Sequence, residues 1–393
     1  MRYILFNLLG ISILFGTTIH IPADYSTIQG GINAANEGDT IVVDHGEYYE
    51  NLVINKEIVL ASHAIYSDLE SNWFETDDHI LNTTIYGYNP STDVGASCIA
   101  ISYDNIQPTV IGFTFRDGRG TTVSEASCGP DVKSTGGAIF IYKAYPIINY
   151  NRFINNGSSS NDDNVVYEGG AIVHYDDDDI EFDEDRDSQV GSHNHRTIPN
   201  VIDFRYNYFS GNNSSAGLDV FSDFEETIDL SFSIFDNIDC ETNEVNGYTL
   251  GSKRKITTYN QTNIEGYCSS YDTVYVSIEG DDENEGSLGA PFKTITNALR
   301  YVKDINTTVI KVAPGEYSPF TNGETFPLVI KNNTHLIGDS KYTTVLDAGA
   351  NISKPRRVLE IFDGSQDVGN GWIADNIFVS GFTITGGYHI DDV

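Results

Sequence analysis

Residues Thr40–Leu60 read TIVVDHGEYYENLVINKEIVL. Three short β-branched runs, Thr40–Val43, Leu52–Ile54 and Ile58–Leu60, are separated by charged residues and by Asp, Gly and Asn. Runs of this length with this punctuation predict strand, corner, strand, corner. The same text returns near the C-terminus. Val309–Val312, Gly315-Glu316-Tyr317 and Leu328–Ile330 repeat Thr40–Val43, Gly46-Glu47-Tyr48 and Leu52–Ile54 in order. Upstream, Tyr25-Ser26-Thr27-Ile28 matches Phe292-Lys293-Thr294-Ile295, and downstream Gly112-Phe113-Thr114-Phe115 matches Gly381-Phe382-Thr383-Ile384. The offset is 267 residues at the first of these pairs and 269 at the last, so a whole domain is written twice. The second copy is short: it reaches Gly386-Gly387-Tyr388, where the first copy continues for more than a hundred residues. The expectation is an incomplete second unit, with a strand edge left for further C-terminal coils or another chain.

Apolar residues at 39% and aromatic ones at 12% are enough to build a core, which excludes global disorder. The net charge of −35 repels nucleic acid, anionic lipid and polyuronates unless bound cations reverse it locally. Residues 1–18 read as a signal peptide, with Arg2, the apolar run Ile4–Phe15 and the small residues Gly16-Thr17-Thr18. The run is too short for a membrane span and no other stretch approaches one, so the destination is secreted or cell surface. In an exported chain the four cysteines suggest disulfides; proximity favours Cys98–Cys128 and Cys240–Cys268 among three pairings.

After a first strand at Ile19–Ile21, Ser26 is placed to cap a helix through about Asn36, with Tyr25, Ile28, Ile32 and Ala35 near one face. The second copy predicts a helix from about Thr294 to Lys303, with Phe292, Ile295, Leu299 and Val302 on one face. Each helix covers the sticky end of a stack of strands. The middle holds looser rhymes. Gly136-Gly137-Ala138-Ile139 recurs as Gly169-Gly170-Ala171-Ile172 and faintly as Ala216-Gly217-Leu218. Asn151-Arg152-Phe153-Ile154-Asn155-Asn156 recurs as Asn207-Tyr208-Phe209-Ser210-Gly211-Asn212 and weakly as Ser233-Ile234-Phe235-Asp236-Asn237. One short coil per repeat marks a solenoid, with Ile, Phe and Val inside. Asn at its corners tolerates left-handed backbone and bonds to the coils above and below. Residues 241–272, rich in Asn, Thr and Ser with Lys253-Arg254-Lys255, read as a linker between a first unit at 19–240 and a second at 273–393.

These motifs together (helix, TIxV, GxY, LxI, GFTxxxG, GGAI, NxFxxN) resemble the right-handed parallel β-helix proteins of the pectate-lyase-like superfamily. The segment Tyr275-Val276-Ser277 through Gly280, Asp281, Asp282, Gly286 and Pro291–Ile295 resembles the entry motif of exported members. The resemblance implies an all-β fold, here two tandem right-handed parallel β-helices, each opened by a short capping helix. Some relatives implied in this way are polysaccharide lyases and many have no known activity. Gly46–Ile54 also resembles the entry segment of pectin methylesterases, but their catalytic Asp, Gln and Arg are not found in order.

The acidic insertion Asp176–Asp187, DDDDIEFDEDRD, interrupts a coil and carries nine acids against one base. It is expected to project from the side of the solenoid. Carboxylates suit Ca²⁺, and Asp176, Asp177, Asp178, Asp179, Glu181 and Asp183 are the candidate ligands, with His193 and His195 nearby; the alternative is a solvated loop. No EF-hand spacing is present. A lyase needs a base and a cation on the uronate carboxylate. Arg152 and Arg205, at corresponding NxF corners, are the candidate base or substrate contacts beside this loop, with Tyr175; the alternative is two exposed corner residues. The arginine-rich motifs of pectate lyases are absent, as are G-x-S-x-G and a nucleotide loop around Gly118-Arg119-Gly120. The leading expectation is a non-catalytic protein that binds polysaccharide or cell-surface material with Ca²⁺ assistance. The others are a Ca²⁺-dependent polysaccharide lyase and a structural or adhesin segment.

Overall fold

The computed structural model describes residues 16–69, 72–92, 94–102, 105–125, 132–157, 166–176, 180–181, 199–214, 217–225, 227–238, 244–245, 249–252, 257–268, 272–302, 306–330, 332–351, 356–361 and 376–388. Short strands dominate, and they pair almost entirely in parallel. Thr18–Ile21, Thr40–Val43, Val59–Ser62, Thr109–Ile111 and Ile147–Asn149 form one ladder. A second holds Gly46–Tyr49, Thr83–Tyr86, Thr114–Arg116, Arg152–Ile154, Tyr208–Ser210, Ile234–Ile238 and Glu265–Cys268. A third holds Leu52–Ile54, Ile99–Ser102, Ile139–Tyr142, Ile172–Tyr175, Val220–Ser222 and Leu250–Ser252. The chain visits the ladders in turn and comes back one rung further on, an all-β arrangement compatible with a β-helix solenoid.

The repeated motifs fall on equivalent rungs. Ile139–Tyr142 pairs with Ile172–Tyr175 residue for residue, and Arg152-Phe153 pairs with Tyr208-Phe209. The glycine pairs are needed because the rungs touch there: a Cβ on Gly137 would lie 2.0 Å from the Gly170 carbonyl oxygen, and one on Gly170 2.1 Å from that of Leu218. Inside, Phe115, Phe153, Phe209 and Phe235 stack at centroid spacings of 5.3, 5.1 and 4.8 Å. Each aromatic contact adds about 0.5–1.5 kcal/mol beyond the area it buries.

The second copy builds its own sheets: Thr273–Val276, Thr308–Val312, Thr334–Gly338 and Phe378–Ser380; Gly315–Tyr317, Thr344–Asp347 and Thr383–Thr385; Leu328–Ile330 and Leu359–Ile361. One large buried apolar cluster runs from Ile21 to Ile264 and another from Val274 to Val358. The segment read as a linker is different. Leu250–Ser252, Thr258–Asn260 and Glu265–Cys268 each pair in parallel with the rung before, so its described part adds a further coil to the first stack. Its polar Thr and Asn side chains hid short strands that are partly exposed.

Both helices are shorter than their apolar pattern suggests. The first is Ile28–Ala34, and Thr27, not Ser26, caps it by accepting from the Gly30 N–H. The second is Ile295–Leu299, capped by Thr294 through the Asn297 N–H. In each copy a glutamate from the following coil closes the helix start. Glu50 accepts from the Ile28 and Gln29 N–H groups at 2.9 and 3.0 Å, and Glu324 accepts from Ile295 and Thr296 at 2.7 and 2.9 Å. A carboxylate there satisfies orphan donors and faces the positive end of the helix.

Candidate functional site: an aromatic groove

The corners before the second ladder carry a row of left-handed backbone. Gly112, Tyr150, Tyr206, Phe232 and Asn263 stand two residues before Thr114, Arg152, Tyr208, Ile234 and Glu265, which pair in sequence along that ladder. All five have positive φ, at 83°, 56°, 56°, 62° and 55°. For Gly and Asn this is ordinary; for a bulky side chain the left-handed region costs about 1–2 kcal/mol. The residue after each aromatic turns inward and is fully buried: Asn151, Asn207 and Ser233. The Asn151 side-chain oxygen accepts from the Phe113 N–H, that of Asn207 from Asn151, and the Ser233 hydroxyl from Asn207, at 3.0, 3.0 and 3.1 Å. The corner asparagines therefore bond between coils as expected, but the left-handed residue is the one before them. The second corner works alike. Asn155 and Gly211 are left-handed, and Asn156 and Asn212 bond across coils.

The left-handed aromatics stay at the surface and form a stack. Tyr150 lies on Tyr206 at 4.7 Å and Tyr206 on Phe232 at 5.0 Å, all nearly parallel. Trp73, held in a satellite cluster with Ala64 and Ile80, meets Tyr150 edge-on at 5.5 Å, and Phe74 stacks on Tyr208 at 5.0 Å. Leu69, Trp73, Tyr150, Tyr206, Phe232 and Glu265 line an open groove of about 350 Å³. Phe232 is 41% exposed, so the stack reaches solvent, mainly along its ring edges because neighbouring faces cover one another. Strained backbone persists where surroundings over-determine it, and such outliers cluster at functional sites.

The described members of the expected site do not meet in one place. Arg205 is clamped by Asp203 through two hydrogen bonds of 2.8 and 2.6 Å, with Asp229 at 3.8 Å. The Asp203 hydrogen bonds hold its guanidinium firmly protonated, which makes it a poor base. Arg152 is half-buried, donates to the Thr114 hydroxyl at 3.3 Å and lies 5.6 Å from the Tyr208 ring; burial lowers its pKa. Arg152 lies by the Tyr208 ring and Arg205 5.9 Å from the Tyr206 ring, while Asp176, the described start of the acidic insertion, follows a strand of a different sheet from Arg152. Tyr175 is not at a surface. It is 1% exposed, and its hydroxyl donates to Glu168 under a layer formed by Thr121–Glu125, Val132–Thr135 and Val166–Glu168. Burial, then the Glu168 charge, raises its pKa. The sheet face that carries Phe140, Val173 and Tyr175 is thus covered.

Asp176 is half-buried, accepts from the Tyr145 hydroxyl at 2.8 Å and donates its N–H to Asp223 at 2.6 Å. Beside it His174 is fully buried; burial lowers its pKa to about 4, so it is neutral, donating through Nε2 to the Ala144 carbonyl. Asp177, Asp178, Asp179, Asp183, His193 and His195 lie outside the described residues. Ile180–Glu181 pairs antiparallel with Ser124–Glu125, so this part of the insertion lies along the covering sheet instead of projecting. No group of three or more metal-ligating side chains is already gathered among the described residues.

Cys98 departs from its expected pairing with Cys128; the Cys240–Cys268 pairing falls outside the described side chains. Cys98 is a free thiol, buried in the first core, 3.5 and 3.6 Å from the Ile85 and Arg116 carbonyl oxygens. It points inward as part of a rung, which proximity in sequence does not reveal. Burial raises its pKa strongly. Cys128 and Cys240 lie outside the described residues, and only the backbone of Cys268 is described. No helix among the described residues is long and apolar enough to cross a membrane.

With this geometry in hand, comparison with known proteins gives one family. Residues 278–390 match the family described as Protein of unknown function (DUF1565), which is associated with parallel β-helix proteins. No curated protein matches the chain. The match covers the second copy alone.

Sequence reasoning missed Tyr150, Tyr206, Phe232 and Trp73. A signal was present: the residue before each NxF or SxF corner is aromatic in three successive coils.

Proposed function

We propose that the protein is a secreted or cell-surface carbohydrate-binding solenoid that holds glycan on the Tyr150–Tyr206–Phe232 stack without cleaving it. In this reading the chain is two tandem right-handed parallel β-helices, each opened by its capping helix. The single observation that carries the reading is the row of three left-handed aromatics along an open groove. Ring edges repeated at coil spacing make a rigid apolar rim for the apolar patches of successive sugars, and rigid aromatics lose little entropy on binding. The net charge of −35 favours neutral glycans, with Ca²⁺ at the acidic insertion as the means of admitting uronates. The clamped Arg205 and the covered face at Tyr175 support binding over lyase chemistry. The half-exposed apolar side chains Ile361, Phe378 and Ile384 suit contact with further coils or another chain.

The test is affinity electrophoresis of the mature chain through gels that contain neutral or uronate polysaccharides, with and without CaCl₂. Retardation by at least one glycan, lost in Tyr206→Ala and Phe232→Ala, is expected. Equal mobility of the native chain in every gel overturns the reading. Release of unsaturated products from a uronate would replace it with lyase activity.

A further inference from the structure

A second cluster lies on the first coils. Thr40–Val43 pairs with Val59–Ser62 so that Val43 stands beside Ser62; the next residues, Asp44 and His63, are neighbours. Gly46–Tyr49 pairs with Thr83–Tyr86 from Gly46 and Thr83 onward. His45 therefore faces the short helix Asp78–Asn82 that leads into that strand. Asp77 caps this helix by accepting from the His79 and Ile80 N–H groups, and buried Ile80 anchors it. The topology thus gathers His45, His63 and His79 at one corner.

Their side chains meet. His45 Nε2 and His79 Nδ1 are 2.7 Å apart, and the ring centroids of His63 and His79 are 5.6 Å apart. A carboxylate stands behind two of the imidazoles. Asp44 holds His63 Nε2 at 2.7 Å, and Asp78 lies 3.9 Å from His45 Nδ1. The His45 and His63 side chains are 40% and 33% exposed, so the corner opens to solvent. A carboxylate behind a histidine fixes its tautomer and strengthens its free nitrogen as a ligand. Asp78 favours the proton on His45 Nδ1, which leaves the Nε2 lone pair facing His79.

We propose that His45 and His79 bind a borderline divalent transition cation through their two facing nitrogens, for which Zn²⁺ is the probe. Imidazole nitrogens prefer such ions to Ca²⁺ or Mg²⁺. The cation enters between the two facing nitrogens. His79 then presents its Nδ1 lone pair to the cation and carries its proton on Nε2. Zinc–nitrogen bonds of about 2.0–2.1 Å set tetrahedral ligands about 3.3 Å apart, so the pair opens by roughly 0.6 Å, a small movement for half-exposed side chains. Water completes the site. The strongly negative surface raises the local cation concentration.

The experiment titrates the mature chain with ZnCl₂ by calorimetry at pH 7.5, in 150 mM NaCl with excess CaCl₂ to occupy carboxylate sites. One saturable site is expected, weakened at least tenfold in His45→Ala and in His79→Ala, and unchanged in the His193→Ala/His195→Ala double variant. A second measurement uses the native chain. Zn²⁺ should protect His45 and His79 from diethylpyrocarbonate, read by mass spectrometry. No saturable Zn²⁺ binding, binding unchanged in both single variants, or equal modification with and without Zn²⁺ overturns the proposal.

Discussion

Asp219→Asn should stabilise this protein, and by more as the pH rises. Asp219 is 1% exposed and sits where the first stack meets the helix Ile295–Leu299. Its carboxylate accepts from Asn212 Nδ2 at 2.9 Å, and Asp236 and Arg300 are its charged neighbours. Arg300 donates to both carboxylate oxygens of Asp236 at 2.7 and 2.6 Å, so the only cation of the cluster is taken. Burial, then the Asp236 charge, pushes the Asp219 pKa from 3.8 up to about 7, against the pull of Arg300. A pKa raised by folding gives stability that is complete below the unfolded value and fades as pH rises to the folded one. Each pH unit in that window is worth about 1.4 kcal/mol, so Asp219 forfeits up to about 4 kcal/mol between pH 4 and pH 7. Asparagine keeps the acceptor for Asn212, adds no charge and forfeits nothing. The assay is urea unfolding of native and variant chains at half-unit steps from pH 4 to pH 8.5. The difference in unfolding free energy should grow across the window and level off above pH 7. A difference that does not vary with pH, or a variant less stable at pH 8, would refute the reasoning.

Three further outcomes follow from the same geometry. Arg300→Met leaves Asp236 in a mostly buried site without its cation and should cost about 3 kcal/mol, measured by the same urea unfolding. Asn156→Ala strips the Gly118 N–H and the Phe115 carbonyl of their partner and should cost about 3 kcal/mol, with Asn156→Ser a poor rescue. Cys98 should resist iodoacetamide in the native chain at pH 8 and be alkylated in 8 M urea, read on its peptide by mass spectrometry.

Much of the fold could be read from text that repeats. GGAI and NxF recur because each rung must offer the same close approach and the same inward ring as the one below it, and the structure pairs them in that register. The capping helices were legible from their apolar faces, with the first cap one residue beyond the expected Ser26, but not the glutamates that close them. Glu50 and Glu324 lie more than twenty residues along the chain and look like surface acids. The aromatic groove was illegible for a different reason. Propensity assigns left-handed corners to Gly and Asn, so nothing singled out Tyr150, Tyr206 and Phe232, which the structure places at left-handed corners on the surface. Arg300 carried no sequence signal, because its partner Asp236 is 64 residues away. Tyr175 failed as a ligand contact because the sheet that covers it is built from strands with no repeat signature.

The most direct measurement of the central claim uses Trp73. The chain has two tryptophans, so Trp372→Phe leaves Trp73, in edge contact with Tyr150, as the single indole reporter at the groove. Its emission should be titrated with each polysaccharide that retards the chain. Binding on the stack predicts a saturable change in Trp73 emission with the affinity seen in the gels, abolished by Phe232→Ala. Saturated binding that leaves Trp73 emission unmoved would place the glycan elsewhere and contradict the account.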